Sequence, residues 1–138
     1  MKKLLFVLVT AVALLTTSCS KQTTLEKRLD GETWKVTKYD ATMGGVTVNA
    51  LEDGETTTLT FDEGGKGTWA NTGDDSYDFT WTVSEDGKTV TILMEGDVAD
   101  EALVFTVSED STSKKQIWSS TMPDGGVSYT ISVVLEKQ

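Results

Sequence analysis

The sequence predicts an all-β domain: a small antiparallel up-and-down barrel of about eight strands, preceded by a short helical turn. Three observations lead to this prediction. Apolar and polar residues alternate in many short segments, Gly and Asp clusters separate these segments at intervals of roughly 8–12 residues, and the 138-residue chain contains one Pro. Because closing a meander of sequential strands removes its exposed edges, a barrel is favoured over an open sheet.

The elements follow in chain order. A helical segment is expected at 24–29, with Thr23 or Thr24 as its N-cap. Strands are expected near 33–40, 45–50, 56–61, 67–71, 76–84, 88–94, 102–108, 114–121 and 127–136. These nine segments give eight strands if one of them is absorbed into a neighbour.

The alternation is clearest in the segment 77–83, where four apolar residues share one face, and a slip of one residue would turn this face to water. The connections Asp62–Gly67, Ser84–Lys88 and Pro123–Gly126 are predicted hairpins, and Asp86-Gly87 is a pair typical of tight turns. The Gly-rich segments lead into strands. This excludes a phosphate-binding loop, which opens onto a helix N-terminus.

The N-terminus has the layout of a secretion signal. Lys2 and Lys3 precede an apolar run, 4–15, broken only by Thr10, and small residues lead to Cys19. A membrane-spanning helix needs about 20 apolar residues, so this run is too short to remain as an anchor. Residues 1–18 are therefore predicted to be a cleaved signal.

Small residues directly before Cys19 resemble the lipobox of bacterial lipoproteins, in a relaxed form similar to that of Bacteroidetes-type bacteria. The resemblance implies fatty acylation, including palmitate, at Cys19, a tether at 19–24 and a domain at 25–138. Ser20, in place of Asp, implies sorting to the outer membrane, and the absence of an acidic run after it favours the periplasmic side. The alternative is a plain cleaved signal in which Cys19 is incidental.

Composition narrows the function. Without the signal, the chain carries 10 basic and 22 acidic residues, a charge of about −12, which disfavours nucleic acid as a partner. It has no His and one Cys, so Ser-His-Asp and Cys-His arrangements are excluded. We expect no enzyme activity, no cofactor and no metal, although chemistry that uses carboxylates alone stays open.

Three segments carry a family resemblance. They are the segment 29–37 with a Trp in the first strand, the run 58–69 with its Thr-Leu-Thr-Phe and glycines, and the strand 77–83 before a hairpin. Together these segments resemble lipocalin-like (calycin-type) domains of Bacteroidetes lipoproteins. The resemblance covers nearly all of 25–138 and implies a lipocalin-like barrel.

Such a barrel can hold one small ligand or be filled by side chains. Six aromatic residues are the candidate lining for an apolar or sugar-like ligand: Trp69, Tyr77, Phe79, Trp81, Phe105 and Tyr129. The alternative is a protein- or glycan-interaction module, such as an inhibitor or a subunit of an envelope complex, that uses strand edges and the loops Gly73–Ser76 and Glu95–Glu101. A third hypothesis is calcium binding by the acidic residues of these loops and their flanks: Asp74, Asp75, Asp78, Glu95, Asp97, Asp100 and Glu101.

Overall fold

A computed structural model of the chain describes residues 21–51, 53–73, 76–97 and 101–138, with Asp124 described by its backbone only. The predicted signal and Cys19 lie outside the described residues. Helix α1 covers residues 21–29. Nine strands follow: β1 Glu32–Met43, β2 Val46–Asn49, β3 Thr57–Asp62, β4 Lys66–Asn71, β5 Tyr77–Val83, β6 Thr89–Met94, β7 Leu103–Val107, β8 Lys115–Asp124 and β9 Val127–Lys137.

Eight of these strands close into an antiparallel barrel, as the sequence predicts. Strands β3 to β9 pair in sequential order, and β1 closes the ring by pairing with both β3 and β9. The remaining strand, β2, forms a hairpin with the second half of β1, where Ala41 pairs with Val48. The nine predicted segments are therefore nine separate strands, and β2 is the one outside the ring.

A β-bulge in β1 keeps the inward face continuous. Val36 pairs with Leu135, but the next pair is Lys38 with Val134, so one extra residue is accommodated on β1. After this shift Tyr39 packs against the core on the same side as Val36. Both halves of a 12-residue strand can therefore contribute side chains to the barrel interior.

Helix α1 covers one end of the barrel, which we call the closed end. Leu25 and Leu29 are buried in the core, and the side-chain Nε2 of Gln22 donates a hydrogen bond to the backbone oxygen of Val83 at 2.9 Å. In the described part of the chain no helix has the length and apolarity needed to span a membrane.

The expected start of the helix was wrong. Residues 21–24, which the sequence analysis assigned to a polar tether, are helical, so Thr23 and Thr24 lie within α1 and neither is its N-cap. The physical reason is tertiary packing: the backbone of Lys21 lies against the β5–β6 connection, so close that a Cβ at Gly87 would be 2.7 Å from the Lys21 oxygen. Docking of this kind outweighs the weak helix preference of Thr.

An aromatic cluster fills the core. The ring of Phe61 lies 5.6 Å from that of Phe79, 5.3 Å from that of Trp81 and 6.0 Å from that of Trp118, each in an edge-to-face arrangement. Such pairs add about 0.5–1.5 kcal/mol each to the burial of the rings. Within the described residues, the buried apolar side chains of helix α1 and of the barrel form one core that extends from Leu25 to Leu135.

Glycines shape the hairpin turns. The β1–β2 and β8–β9 hairpins each turn through two glycines with positive φ, Gly44-Gly45 and Gly125-Gly126, as a type I′ turn requires. The predicted tight turn at Asp86-Gly87 is instead part of a longer loop, because the β5–β6 hairpin closes with the amide of Ser84 donating to the oxygen of Thr89.

Candidate functional site

The candidate site is the end of the barrel opposite helix α1, which we call the open end. The connections β1–β2, β2–β3, β4–β5, β6–β7 and β8–β9 lie there, as the antiparallel order of the strands dictates. Partly buried apolar side chains concentrate at this end. Eight partly buried apolar side chains of the described residues pack against the core. Seven of them lie toward the open end: Tyr39, Leu51, Trp69, Met94, Leu103, Met122 and Tyr129.

The six predicted lining residues divide into two groups. Phe79, Trp81 and Phe105 are fully buried. The first two are members of the aromatic cluster around Phe61, and Phe105 lies 5.8 Å from the ring of Trp118. The indole Nε1 of Trp81 is also satisfied, because it donates to the backbone oxygen of Lys66 at 2.8 Å. These three buried side chains belong to the core.

Trp69, Tyr77 and Tyr129 form the second group, and they lie at the open end. The register pairs Trp69 with Tyr77, so both project to the inward face of the sheet. Tyr77 is 52% exposed, whereas Trp69 and Tyr129 are half-buried. Three of the six predicted aromatic residues are therefore accessible at one opening of the barrel.

Several apolar residues at this opening were not among the predicted lining residues. Met94 and Leu103 belong to predicted strands, but alternation alone does not tell which end of a strand is open. Met122 was assigned to no strand, because β8 extends three residues beyond the predicted segment. Its position follows from its pairing with Tyr129.

Polar groups at the opening are held by one another. The side-chain oxygen of Asn71 accepts hydrogen bonds from Thr57 Oγ1 at 2.8 Å and from Trp69 Nε1 at 3.2 Å. No hydrogen bond from the Asn71 amide Nδ2 to another described residue is found, so this group can donate to a ligand. Across the barrel, Tyr129 Oη donates to Met122 Sδ at 3.3 Å. Burial first, and then the neighbouring phenol of Tyr129, raises the pKa of Tyr39.

Two hairpins extend the inward face beyond the barrel. Met43 pairs with Val46 across the β1–β2 hairpin and with Tyr129 on β9, so these side chains share one face. Val48 and Val127 continue the apolar surface, and both are more than half exposed. An apolar sheet face thus passes from the interior into solvent at the open end.

Charge is distributed unequally between the two ends. Among the described residues the closed end carries nine cations and ten acids, so its charge nearly cancels. Of the described cations only Lys38 lies toward the open end, and it is 3.0 Å from Asp40. Its described acids number seven: Asp40, Asp53, Glu55, Asp78, Glu95, Asp97 and Glu101. The open end is therefore apolar within and acidic around its rim.

Surface grooves lie outside the barrel interior. A groove of about 470 Å³ runs over the outward face of β4, β5 and β6, with Lys66, Asp78 and Asp97 along it. Two further grooves, of about 400 and 330 Å³, flank helix α1. All three grooves are open to solvent, whereas ligand pockets bury most of the ligand surface.

The acidic residues do not assemble a metal site within the described ranges. No three His, Cys, Asp or Glu side chains there are placed to hold one ion. Of the residues considered for calcium, Asp74, Asp75 and Asp100 lie outside the described residues.

Comparison with known proteins assigns no family to the chain. No protein-family model matches it, and neither a curated protein nor a solved structure is significantly similar to it. The resemblance to lipocalin-like lipoproteins accordingly stays a prediction, and the functional argument depends on the geometry of the open end.

Proposed function

We propose that this chain is a cell-envelope lipoprotein, anchored through lipid at Cys19, whose barrel binds a small apolar or sugar-like ligand at the open end. The observation that carries the proposal is the concentration of half-buried apolar side chains there. Water-accessible Trp69, Tyr77 and Tyr129 offer flat faces for an apolar body or a sugar ring. Asn71 adds a polar group that can orient the ligand.

The position of helix α1 supports the anchor. Lys21, which follows Cys19 by two residues in the sequence, lies at the closed end beside Gly87. An acyl chain on Cys19 would then hold the closed end at the membrane and leave the open end facing the aqueous compartment. The expected location is the outer membrane, on its periplasmic side.

A neutral fluorescent probe tests ligand binding. N-phenyl-1-naphthylamine should bind the chain 19–138 and gain fluorescence as it leaves water. Met122→Glu places a charge among the apolar side chains of the open end and should weaken binding by about tenfold or more. Val104→Glu, at a half-exposed position on the outward face of β7, is the matched control and should leave binding unchanged.

A second measurement looks for the natural ligand. Native mass spectrometry after incubation with mixed lipid and metabolite pools should give a stoichiometric adduct. Absence of both probe binding and any adduct would overturn the proposed ligand-binding role.

A protein-interaction role is the second candidate. The observation that favours it is the aromatic cluster, which fills the barrel next to helix α1 with side chains of its own. In this case the chain acts through its surface, as an inhibitor or as a subunit of an envelope complex. Crosslinking in native envelopes should then give the same protein partner in repeated experiments, and random crosslinks would count against it.

A further inference from the structure

Strand β2 has only one paired edge. Its residues Val46–Asn49 pair with the end of β1, and across the described ranges no backbone hydrogen bond or further strand lies along the other edge. The barrel closes through β1 and β9, so this edge lies outside the closure. A row of unpaired backbone N–H and C=O groups is what an added β-strand pairs with.

The residues of β2 carry none of the side chains that protect a free edge. Natural sheets discourage pairing at an edge with Lys, Pro, inward-pointing charges or a covering segment. The sequence Val-Thr-Val-Asn contains no Lys, no Pro and no charge, and all four residues are exposed. Val46 is 66% and Val48 60% exposed. Exposure of two β-branched apolar side chains to water is unfavourable, and a strand that covered them would remove this cost.

The two faces of β2 specify an alternating partner. Val46 and Val48 project to the same side as Met43, so a strand added beside them would bury apolar side chains on that face. Thr47 and Asn49 project to the other side, where a partner requires polar residues. The added segment is therefore extended, with apolar and polar residues in alternation.

The charge around β2 indicates which polar residues the partner strand needs. Asp53 and Glu55 lie four and six residues after the end of β2 in the chain, Asp40 pairs with Asn49, and the described residues of the open end are mostly acidic. Lys and Arg are complementary to such a surface, whereas acidic residues are repelled. A second copy of this chain would bring another acidic end to the contact, which opposes self-pairing.

We infer that the free edge of β2 is a docking site for an extended basic segment of a partner protein, which adds as a strand and alternates apolar residues with Lys or Arg. This inference deepens the protein-interaction role, and it holds whether or not the open end also binds an apolar ligand.

The test uses a short capped peptide that alternates Val and Lys, added to isotope-labelled chain 19–138. Binding should shift the amide signals of residues 46–49 and slow their hydrogen exchange. The same peptide with Glu in place of Lys should bind at least about tenfold more weakly. A Val-Lys peptide with N-methylated backbone amides should also bind more weakly, because it cannot complete the ladder.

Variants of the chain provide the matched comparison. The double substitution Val46→Lys and Val48→Lys adds the charge that natural edges use and should weaken peptide binding by about tenfold or more. Val104→Lys, on a strand paired along both edges, should leave binding unchanged.

Three outcomes would overturn the inference. One is equal binding of the Lys and Glu peptides. Another is binding that leaves the amides of 46–49 unaffected. The third is slow exchange at 46–49 without peptide together with a dimer in sedimentation, which would make a second copy the occupant. Loss of N-phenyl-1-naphthylamine binding bears on the apolar ligand alone, so the two proposals fail separately.

Discussion

Gly67 lies where the aromatic cluster meets the sheet backbone. It pairs with Phe61 on one side and Phe79 on the other, and the ring of Phe79 packs directly over it. A Cβ built on Gly67 would lie 2.4 Å from two carbons of this ring and 2.6 Å from the backbone oxygen of Thr60. Neither neighbour can move away without disturbing the packed core.

Gly67→Ala should therefore destabilise the domain by about 1–3 kcal/mol, the usual cost of overpacking a core. Chemical denaturation of the variant measures this cost. In a Phe79→Leu background, where the ring is absent, the same substitution should cost less, and equal costs in both backgrounds would show that the ring is not the cause.

The phenol of Tyr39 predicts a pH dependence. Burial, and then Tyr129, raises its pKa above the usual 10.0, so the folded state retains the proton to higher pH than the unfolded chain. Its contribution to stability is complete below pH 10.0 and is lost as the pH rises through the folded-state pKa. Tyr39→Phe should lose less stability than the parent across this alkaline range when unfolding is followed by circular dichroism. Identical pH profiles would contradict the assignment.

The inward direction of the six aromatic side chains was predictable at the residue scale, because strict alternation determines the face. The depth of each side chain along the barrel axis was not predictable from the sequence. Phe79 and Tyr77 share a face two residues apart, yet one is in the core and the other is at the rim. The burial of the polar residue Gln116 was also not predictable. Its side chain faces inward because its Nε2 donates to the backbone oxygen of Thr112 and its Oε1 accepts a hydrogen bond from Trp118 Nε1 at 3.3 Å.

At the scale of elements, helix α1 is an integral part of the core. Leu29→Ala should cost about 2–5 kcal/mol, since Leu29 is fully buried and its truncation leaves a cavity. Lys27→Ala, on the exposed side of the same helix, should cost little. The two variants are compared by denaturant titration. Near-equal stability would mean that the helix does not pack on the barrel as described.

The strands were predictable because a period of two is hard to mistake, and the predicted bounds differ from the observed ones by at most three residues. The first turn of α1 was not predictable, because residues 21–24 carry no helical signal of their own. Contacts with Gly87 and Val83 stabilise this turn. The separate position of β2 was also hidden, since it follows from the bulge and the pairing of β1 with three strands.

At the scale of the whole molecule, the anchor is open to a direct test. In a Gram-negative host fed an alkyne fatty acid, the parent chain should take up the label and Cys19→Ala should not. Labelling is followed by click chemistry on the purified protein. A label that persists in Cys19→Ala would place acylation elsewhere and remove the anchor from the proposal.

The unequal distribution of charge gives the molecule an electric dipole moment along the barrel axis. Near a surface that carries negative headgroups, the field would turn the acidic open end away and tolerate the nearly neutral helix end. This torque acts only within about one Debye length, roughly 8 Å at physiological salt. A single acyl anchor alone would let the domain tumble. If the chain is lipid-anchored as proposed, the dipole would make the orientation of the barrel on the membrane a property that ionic strength can adjust.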